Sequence, residues 1–184
     1  MEDAEINTLW QSVIGDDDQL AFRALFDYFY NRLVRFATDL AGTREAAEEI
    51  VSDVFVQLWK NRKQTVGVIR LKTYLYTAVR NRSYNYIRDH QQHRWLGLEE
   101  IEEPAVAGLL PSLEWKELQQ SLDAAVERLS PQGRTIFRMV REEGFKYKEV
   151  ATILDISPRT VETQLVRAIA RLRQVLQPLQ QPEK

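Results

Sequence analysis

From Thr43 to Lys60 the chain reads TREAAEEIVSDVFVQLWK, with apolar residues at Ala47, Ile50, Val51, Val54, Phe55 and Leu58. That i, i+3, i+4 recurrence is a helix with one buried stripe and one polar face. Thr43 stands at the N-cap, with Ala46 where a capping box would carry an acid. Upstream, LAFRALFDYFYNRLVRFATDL repeats the spacing and turns Phe22, Phe26, Phe29, Tyr30 and Phe36 inward. Downstream, LKTYLYTAVRNRSYNYIRDH predicts a third long helix, with Asn81 as the point where an interruption would fall. The helical pattern thus runs from Gln19 to about His90.

The periodicity then fails. WLGLEEIEEPAVAGLLPSLEW gains Gly and Pro and reads as a linker of about twenty residues, a length that marks a domain boundary or a functional loop. The pattern resumes near Leu113. In LSPQGRTIFRMVREEGF, Ser130 is an N-cap, Pro131 the first helical residue and Gly144 lies past the C-terminus. YKEVATILD predicts a short helix, IS a tight turn, and Pro158 opens another helix. Helix, short turn and second helix make a helix-turn-helix. Val150, Ala151, Ile153 and Leu154 would pack the first helix; Val161, Leu165, Ala168 or Ile169, and Leu172 the second. The expected fold is all-α: two small helical domains joined by an acidic linker, the second containing the helix-turn-helix.

Composition narrows the class. With 184 residues, 44% hydrophobic and 28% charged, this is a folded soluble chain with room for one ordinary domain or two small ones. Cysteine is absent, which excludes disulfides, Cys-based zinc sites and thiol chemistry. MEDAEINTLW lacks the basic and apolar regions of a signal peptide, and runs such as AVAGLL are too short to span a bilayer. A cytoplasmic protein that does not insert into membranes is expected.

Charge distribution says more than the net charge of −2. Residues 1–20 carry six acids and no base; residues 61–94 carry eight bases and one acid. Residues 95–130 reverse this, with two bases and eight acids, and residues 131–184 hold ten bases and six acids. Two basic blocks flanking an acidic one suggest two anion-binding surfaces on one string. A pI near 5.8 alone would have argued against nucleic acid; the segmental charge overrides it.

Three faces carry candidate chemistry. On the second helix of the helix-turn-helix, Arg159, Thr160, Glu162, Thr163, Gln164, Arg167 and Arg171 point away from the packed stripe. Arg can pair with guanine, Gln with adenine, Glu with cytosine, and Thr with a phosphate or a thymine methyl. A solvated amphipathic helix would show a similar face. In the basic block, Arg70, Lys72, Arg80, Arg82, Arg88 and Arg94 interleave with Tyr74, Tyr76, Tyr84, Tyr86 and Trp95. Cations that track phosphates, beside aromatics that stack on bases, suit single-stranded or opened DNA. Against this, Leu71, Leu75, Ala78, Val79 and Ile87 need core neighbours, and Tyr74 or Tyr86 could supply them. The third face is the polar side of the 43–60 helix, with Glu48, Glu49, Ser52, Asp53 and Gln57. Enzyme signals are poor: there is no Gly-rich phosphate loop and no nucleophile elbow. His90 and His93 stand without a carboxylate cluster, so surface histidines are expected rather than a metal pair.

Taken together, AEEIVSDVFVQLWKNR, LKTYLYTAVRNRSYNYIRD and LSPQGRTIFRMVREEGFKYKEVATILDISPRTVETQLVRAIARLR resemble a bacterial RNA polymerase sigma factor of the extracytoplasmic-function class of the sigma-70 family. The resemblance implies sigma domain 2 over 1–94, for polymerase binding and −10 recognition and melting. It implies an acidic linker over 95–113 and sigma domain 4 over 114–184, which reads the −35 element. It leaves no room for the larger family's N-terminal autoinhibitory region or intermediate domain. Glu49, Ser52, Asp53 and Gln57 fall on the polymerase-binding face, with Ser52 departing from the family's common Gln. Lys72, Tyr74, Arg80, Asn81, Asn85 and Arg88 fall in the −10 region, with Asn81 in the stretch that shapes a pocket for a flipped base. Arg159, Thr160, Glu162, Thr163, Gln164, Arg167 and Arg171 carry over to the −35 helix. The implied partners are core RNA polymerase, promoter DNA and an anti-sigma factor; no enzymatic activity, cofactor, metal or small-molecule substrate is implied. SPRTVETQ also resembles LuxR-type regulators, so a dimeric regulator independent of polymerase is the main alternative, and a helical protein-interaction adaptor the second.

Overall fold

The computed structural model describes residues 1–65, 70–94 and 115–176, and every regular element among them is helical. The first helix, α1 (Asp3–Asp16), lies ahead of the pattern that begins at Gln19. Ile6, Trp10 and Val13, spaced i, i+4, i+7, are buried, and the acids around them stay outside. The acidic run at 16–18 is the corner after α1. Asp17 adopts the left-handed conformation (φ 54°), and Asp18 caps α2 (Gln19–Ala41) by accepting from the Leu20 and Ala21 amides at 2.9 and 3.0 Å. Such a cap is worth about 1 kcal/mol. Asp17 also pairs with Arg62 (2.6 Å) and Lys63 (3.1 Å) of the 3₁₀ turn Arg62–Thr65, which hold its carboxyl below the usual aspartate range.

Gly42 ends α2 at φ +88°, a conformation costly for any residue with a Cβ. Thr43 then caps α3 (Arg44–Lys60) through the Ala46 amide, and all six residues of the α3 stripe are buried. Helix α4 (Leu71–Arg94) runs through Asn81 without the interruption the sequence suggested, and buries Leu71, Leu75, Tyr76, Val79 and Ser83.

In the C-terminal part, α5 (Trp115–Glu127) and α6 (Pro131–Arg141) flank Ser130, whose Oγ accepts from the Gly133 amide at 3.3 Å. At the start of α7 (Tyr147–Leu154), Glu149 reaches back to accept from the Lys146 amide at 2.8 Å. Asp155 makes the turn at φ 57°, and the Ser157 hydroxyl accepts from the Thr160 amide at 3.0 Å to open α8 (Pro158–Leu176). Val150, Ala151, Ile153 and Leu154 of α7, and Val161, Leu165, Ala168 and Leu172 of α8, are buried.

These two groups of helices pack on each other, α2 against α6 and α4 against α7. One apolar cluster runs from Ile6 to Leu165 across the junction; a smaller one joins Ala125, Val126 and Leu129 to Ala168 and Leu172. Tyr76 sits at the joint, 5.0 Å from Phe36 on one side and from Phe145 on the other. The 95–113 linker lies outside the described residues. Among the described residues no helix is long and apolar enough to cross a membrane.

Candidate nucleic-acid interface

Helix α8 presents an open face. Arg159, Glu162, Thr163, Arg167 and Arg171 are exposed, while Thr160 and Gln164 are half-buried at its edge. Its arginines form no ion pair among the described residues, so their charge is free to meet phosphate or guanine. The Thr160 hydroxyl is tied to Ser157 at 2.8 Å, and that of Thr163 donates to the Arg159 carbonyl at 2.8 Å.

On α3, Glu49, Ser52 and Gln57 are exposed and Asp53 is half-buried; Val56 lies among them, 48% exposed. Asp53 and Gln57 turn towards α4 and share a cleft of about 220 Å³ with Tyr74, Asn81, Arg82 and Asn85. The polymerase and −10 sets predicted from sequence therefore border one another. Arg82, which belongs to neither set, is the strut between them: its guanidinium pairs with Asp53. Nothing in the sequence marks this pair, which lies 29 residues apart on different helices.

The rest of the −10 set divides. Asn81, Asn85 and Arg88 are exposed, and Arg88 pairs with neighbouring Asp89 at 3.2 Å. Lys72 and Arg80 are instead engaged by the C-terminal helices, each side chain only 18% exposed. The Lys72 ammonium donates to the Glu143 carbonyl and lies 4.6 Å from the Phe145 ring centre. Arg80 donates to the Leu154 carbonyl at 3.3 Å and pairs with Asp155 at 3.4 Å, closing the turn of the helix-turn-helix. Of the interleaved tyrosines, Tyr76 is a core residue and offers no stacking face. Burial beside Glu143 pushes its phenol well above the ordinary range. Tyr86 stacks on His90, and Tyr84 stays exposed beneath the Arg80 guanidinium.

A buried polar seam holds the two groups together. Both Asp39 oxygens accept from Arg138 at 2.9 Å, and Arg134 approaches Asp39 at 2.8 Å. Glu127 takes the outer side of both arginines. Burial pushes the Asp39 carboxyl above the usual aspartate range despite the two guanidiniums. Beside it, Arg32 bonds Glu143 at 3.0 Å and Arg70 pairs with Glu149. Asp39, Arg134, Arg138 and Glu143 carry no periodic signal, so sequence reasoning passed over them. Among the described residues no group of three or more His, Cys, Asp or Glu is placed to hold a metal.

Residues 25–93 match the family description "Sigma-70 region 2" and residues 119–172 match "Sigma-70, region 4", together more than half of the chain. The chain is 25% identical over 163 residues to the RNA polymerase sigma factor CarQ of Myxococcus xanthus, covering 88% of this chain and 92% of that one. It is 24% identical over 172 residues to the sigma factor SigW of Bacillus subtilis, with the same coverages of 88% and 92%. The fold is similar to that of the sigma factor RpoE in complex with the anti-sigma factor NepR from Bartonella quintana, with TM-score 0.62, 23% identity, and 85% and 96% of the two chains covered. It is also similar to CnrH in complex with the cytosolic domain of CnrY, with TM-score 0.57, 20% identity, and 96% and 99% covered.

Proposed function

The chain belongs to the sigma-70 family as a factor of its extracytoplasmic-function class, and from that premise we propose that it binds core RNA polymerase and directs it to promoters by gripping two separated DNA elements. Residues 1–94 form the polymerase-binding and −10 domain, 95–113 the connector, and 114–184 the −35 domain. Glu49, Ser52, Asp53 and Gln57 dock on the polymerase; Lys72, Tyr74, Arg80, Asn81, Asn85 and Arg88 hold the −10 strand; Arg159 to Arg171 of α8 read the −35 element. The protein acts in the cytoplasm, where its polymerase is, and is held in check by an anti-sigma factor; of the structures it resembles, RpoE is in complex with the anti-sigma factor NepR and CnrH with the cytosolic domain of CnrY.

The observation that best supports this reading is the shared cleft of α3 and α4. An acidic docking face and a polar, basic and aromatic strand-binding face meet across Asp53 and Arg82. A dimeric regulator of the LuxR kind has no use for that pairing. In the free protein, Lys72 and Arg80 are occupied by the C-terminal helices, so tight promoter binding requires their release. Joining the two grips on polymerase at fixed spacing then supplies affinity through effective concentration.

Transcription from a promoter library by core polymerase, with and without this protein, tests the proposal. Protein-dependent transcripts sharing two spaced elements are expected. Identical transcript profiles in both reactions would refute it.

A further inference from the structure

The outer face of α8 carries an apolar side chain that packing does not explain. Val166 is 61% exposed, on the side opposite Val161, Leu165, Ala168 and Leu172. A single exposed valine is ordinary; its neighbours make this one informative. At 3.6 residues per turn, Val166 stands over Thr163 on one side and under Ala170 on the other, and both are exposed. The Thr163 hydroxyl spends its only proton on the Arg159 carbonyl at 2.8 Å. Turned back onto the helix in this way, the side chain offers its γ-methyl outward. Thr163, Val166 and Ala170 thus form a strip of methyl groups about 10 Å long. Exposed Arg159, Arg167, Arg171 and Arg173 flank it, and none of them has a carboxylate partner among the described residues.

This arrangement selects among the chemistries open to the helix. Major-groove base edges present donors and acceptors for every base pair, and one apolar group, the thymine C5-methyl. A face with four arginines and one acid, Glu162, at its margins and methyls down its middle matches phosphates outside and a thymine methyl within. Valine can make no hydrogen bond to a base, and the Thr163 proton is spent on Arg159, so neither can donate to the guanine or adenine acceptors, whereas both offer a methyl group outward. We propose that Val166 and the γ-methyl of Thr163 are specificity-determining residues that select thymine in the −35 element through its C5-methyl. The proposal rests on the reading of α8 as the −35 helix.

Deoxyuridine is the probe, because it lacks only the C5-methyl and keeps every hydrogen bond of thymine. Holoenzyme assembled from core polymerase and the full chain is measured on a promoter recovered from the library, with each −35 thymine replaced in turn. At one or two positions, replacement should weaken promoter binding by about fourfold, equivalent to the ~0.8 kcal/mol of one methyl-sized group. Val166→Ser should bind thymine and uracil templates equally at one such position. Thr163→Ser keeps the hydroxyl that bonds Arg159 and removes only the methyl, and should lose the discrimination at the same or the adjacent position.

Uracil that is silent at every −35 position would overturn the methyl contact while leaving the −35 reading standing. A loss in Val166→Ser that is equal on thymine and uracil templates, with the preference retained, would overturn it too. A library that yields no protein-dependent promoter would instead defeat the underlying reading, and the proposal with it.

Discussion

The faces of α4 and α8 are both basic, both helical and both assigned to DNA, yet they stand in opposite states. On α8 every arginine of the face is exposed and without an ion-pair partner among the described residues. On α4, Lys72 and Arg80 are four-fifths covered and bound to the backbone and acids of the helix-turn-helix domain. The difference lies in which surfaces found apolar partners. Tyr76 on α4 gives Phe145 a ring to pack on, and Asp39 on α2 gives Arg134 and Arg138 a buried acid. Helix α8 turns its apolar stripe inward to α5, α6 and α7 and leaves only the narrow strip around Val166 outside. Two cations of the proposed −10 face are thus covered, while the proposed −35 face is open.

The largest effect expected is on docking to the polymerase. Asp53→Arg sets a cation beside Arg82 and reverses the docking charge; like charges across an interface cost several kcal/mol, so co-purification with core polymerase should fall about a hundredfold or more. Circular dichroism should show the fold intact. Undiminished co-purification would remove Asp53 from the docking face.

Asp39→Ala acts on the seam itself. It strips Arg134 and Arg138 of their buried partner, a change worth about 3 kcal/mol against the closed packing. Faster amide exchange in α6 and tighter binding of a single-stranded −10 oligonucleotide by the free protein should follow, with binding to a −35 duplex unmoved. If oligonucleotide binding does not change, the seam does not cover the −10 grip.

Arg167→Ala tests the open face, with an expected loss of ~1–3 kcal/mol confined to −35 duplexes. If Arg167 touches a base, one position of the element relaxes; an equal loss on every sequence would mean a phosphate contact only. The smallest effect is the control. Arg44 and Glu48 form an exposed, solvent-screened pair on α3, so Arg44→Ala should leave the thermal melting transition almost unmoved. A loss as large as that of Asp39→Ala would erase the contrast between a buried seam and a solvated pair.

How much of this was legible in the sequence follows from the kind of signal each feature leaves. Helices α2, α3, α4, α6, α7 and α8 announced themselves because apolar residues recur every three or four positions, helped by the N-caps Thr43 and Ser130 and by Pro131 and Pro158 as first helical residues. The open face of α8 followed directly, as the complement of its stripe. The first helix was hidden by its acids, although Ile6, Trp10 and Val13 carry the right spacing. Asn81 looked like a break, but α4 is held by packing along its buried side, where propensity at one exposed position counts for little. Tyr76 reads like its neighbours Tyr74 and Tyr84 in sequence; the arrival of Phe36 on one side and Phe145, 69 positions away, on the other makes it core. The seam was beyond reach for the same reason. Pairs such as Asp39–Arg138 and Arg80–Asp155 join residues 99 and 75 positions apart, and charge composition cannot say which acid meets which base.

The central claim is that the two grips act together only on polymerase. It is tested most directly by footprinting one promoter at physiological salt with the free protein and with the protein bound to core polymerase. Weak binding by the free protein, and tight protection of both elements by the complex with −10 thymines opened to single-strand reagents, is the predicted result. Free protein that protects both elements as tightly as the complex does would contradict it.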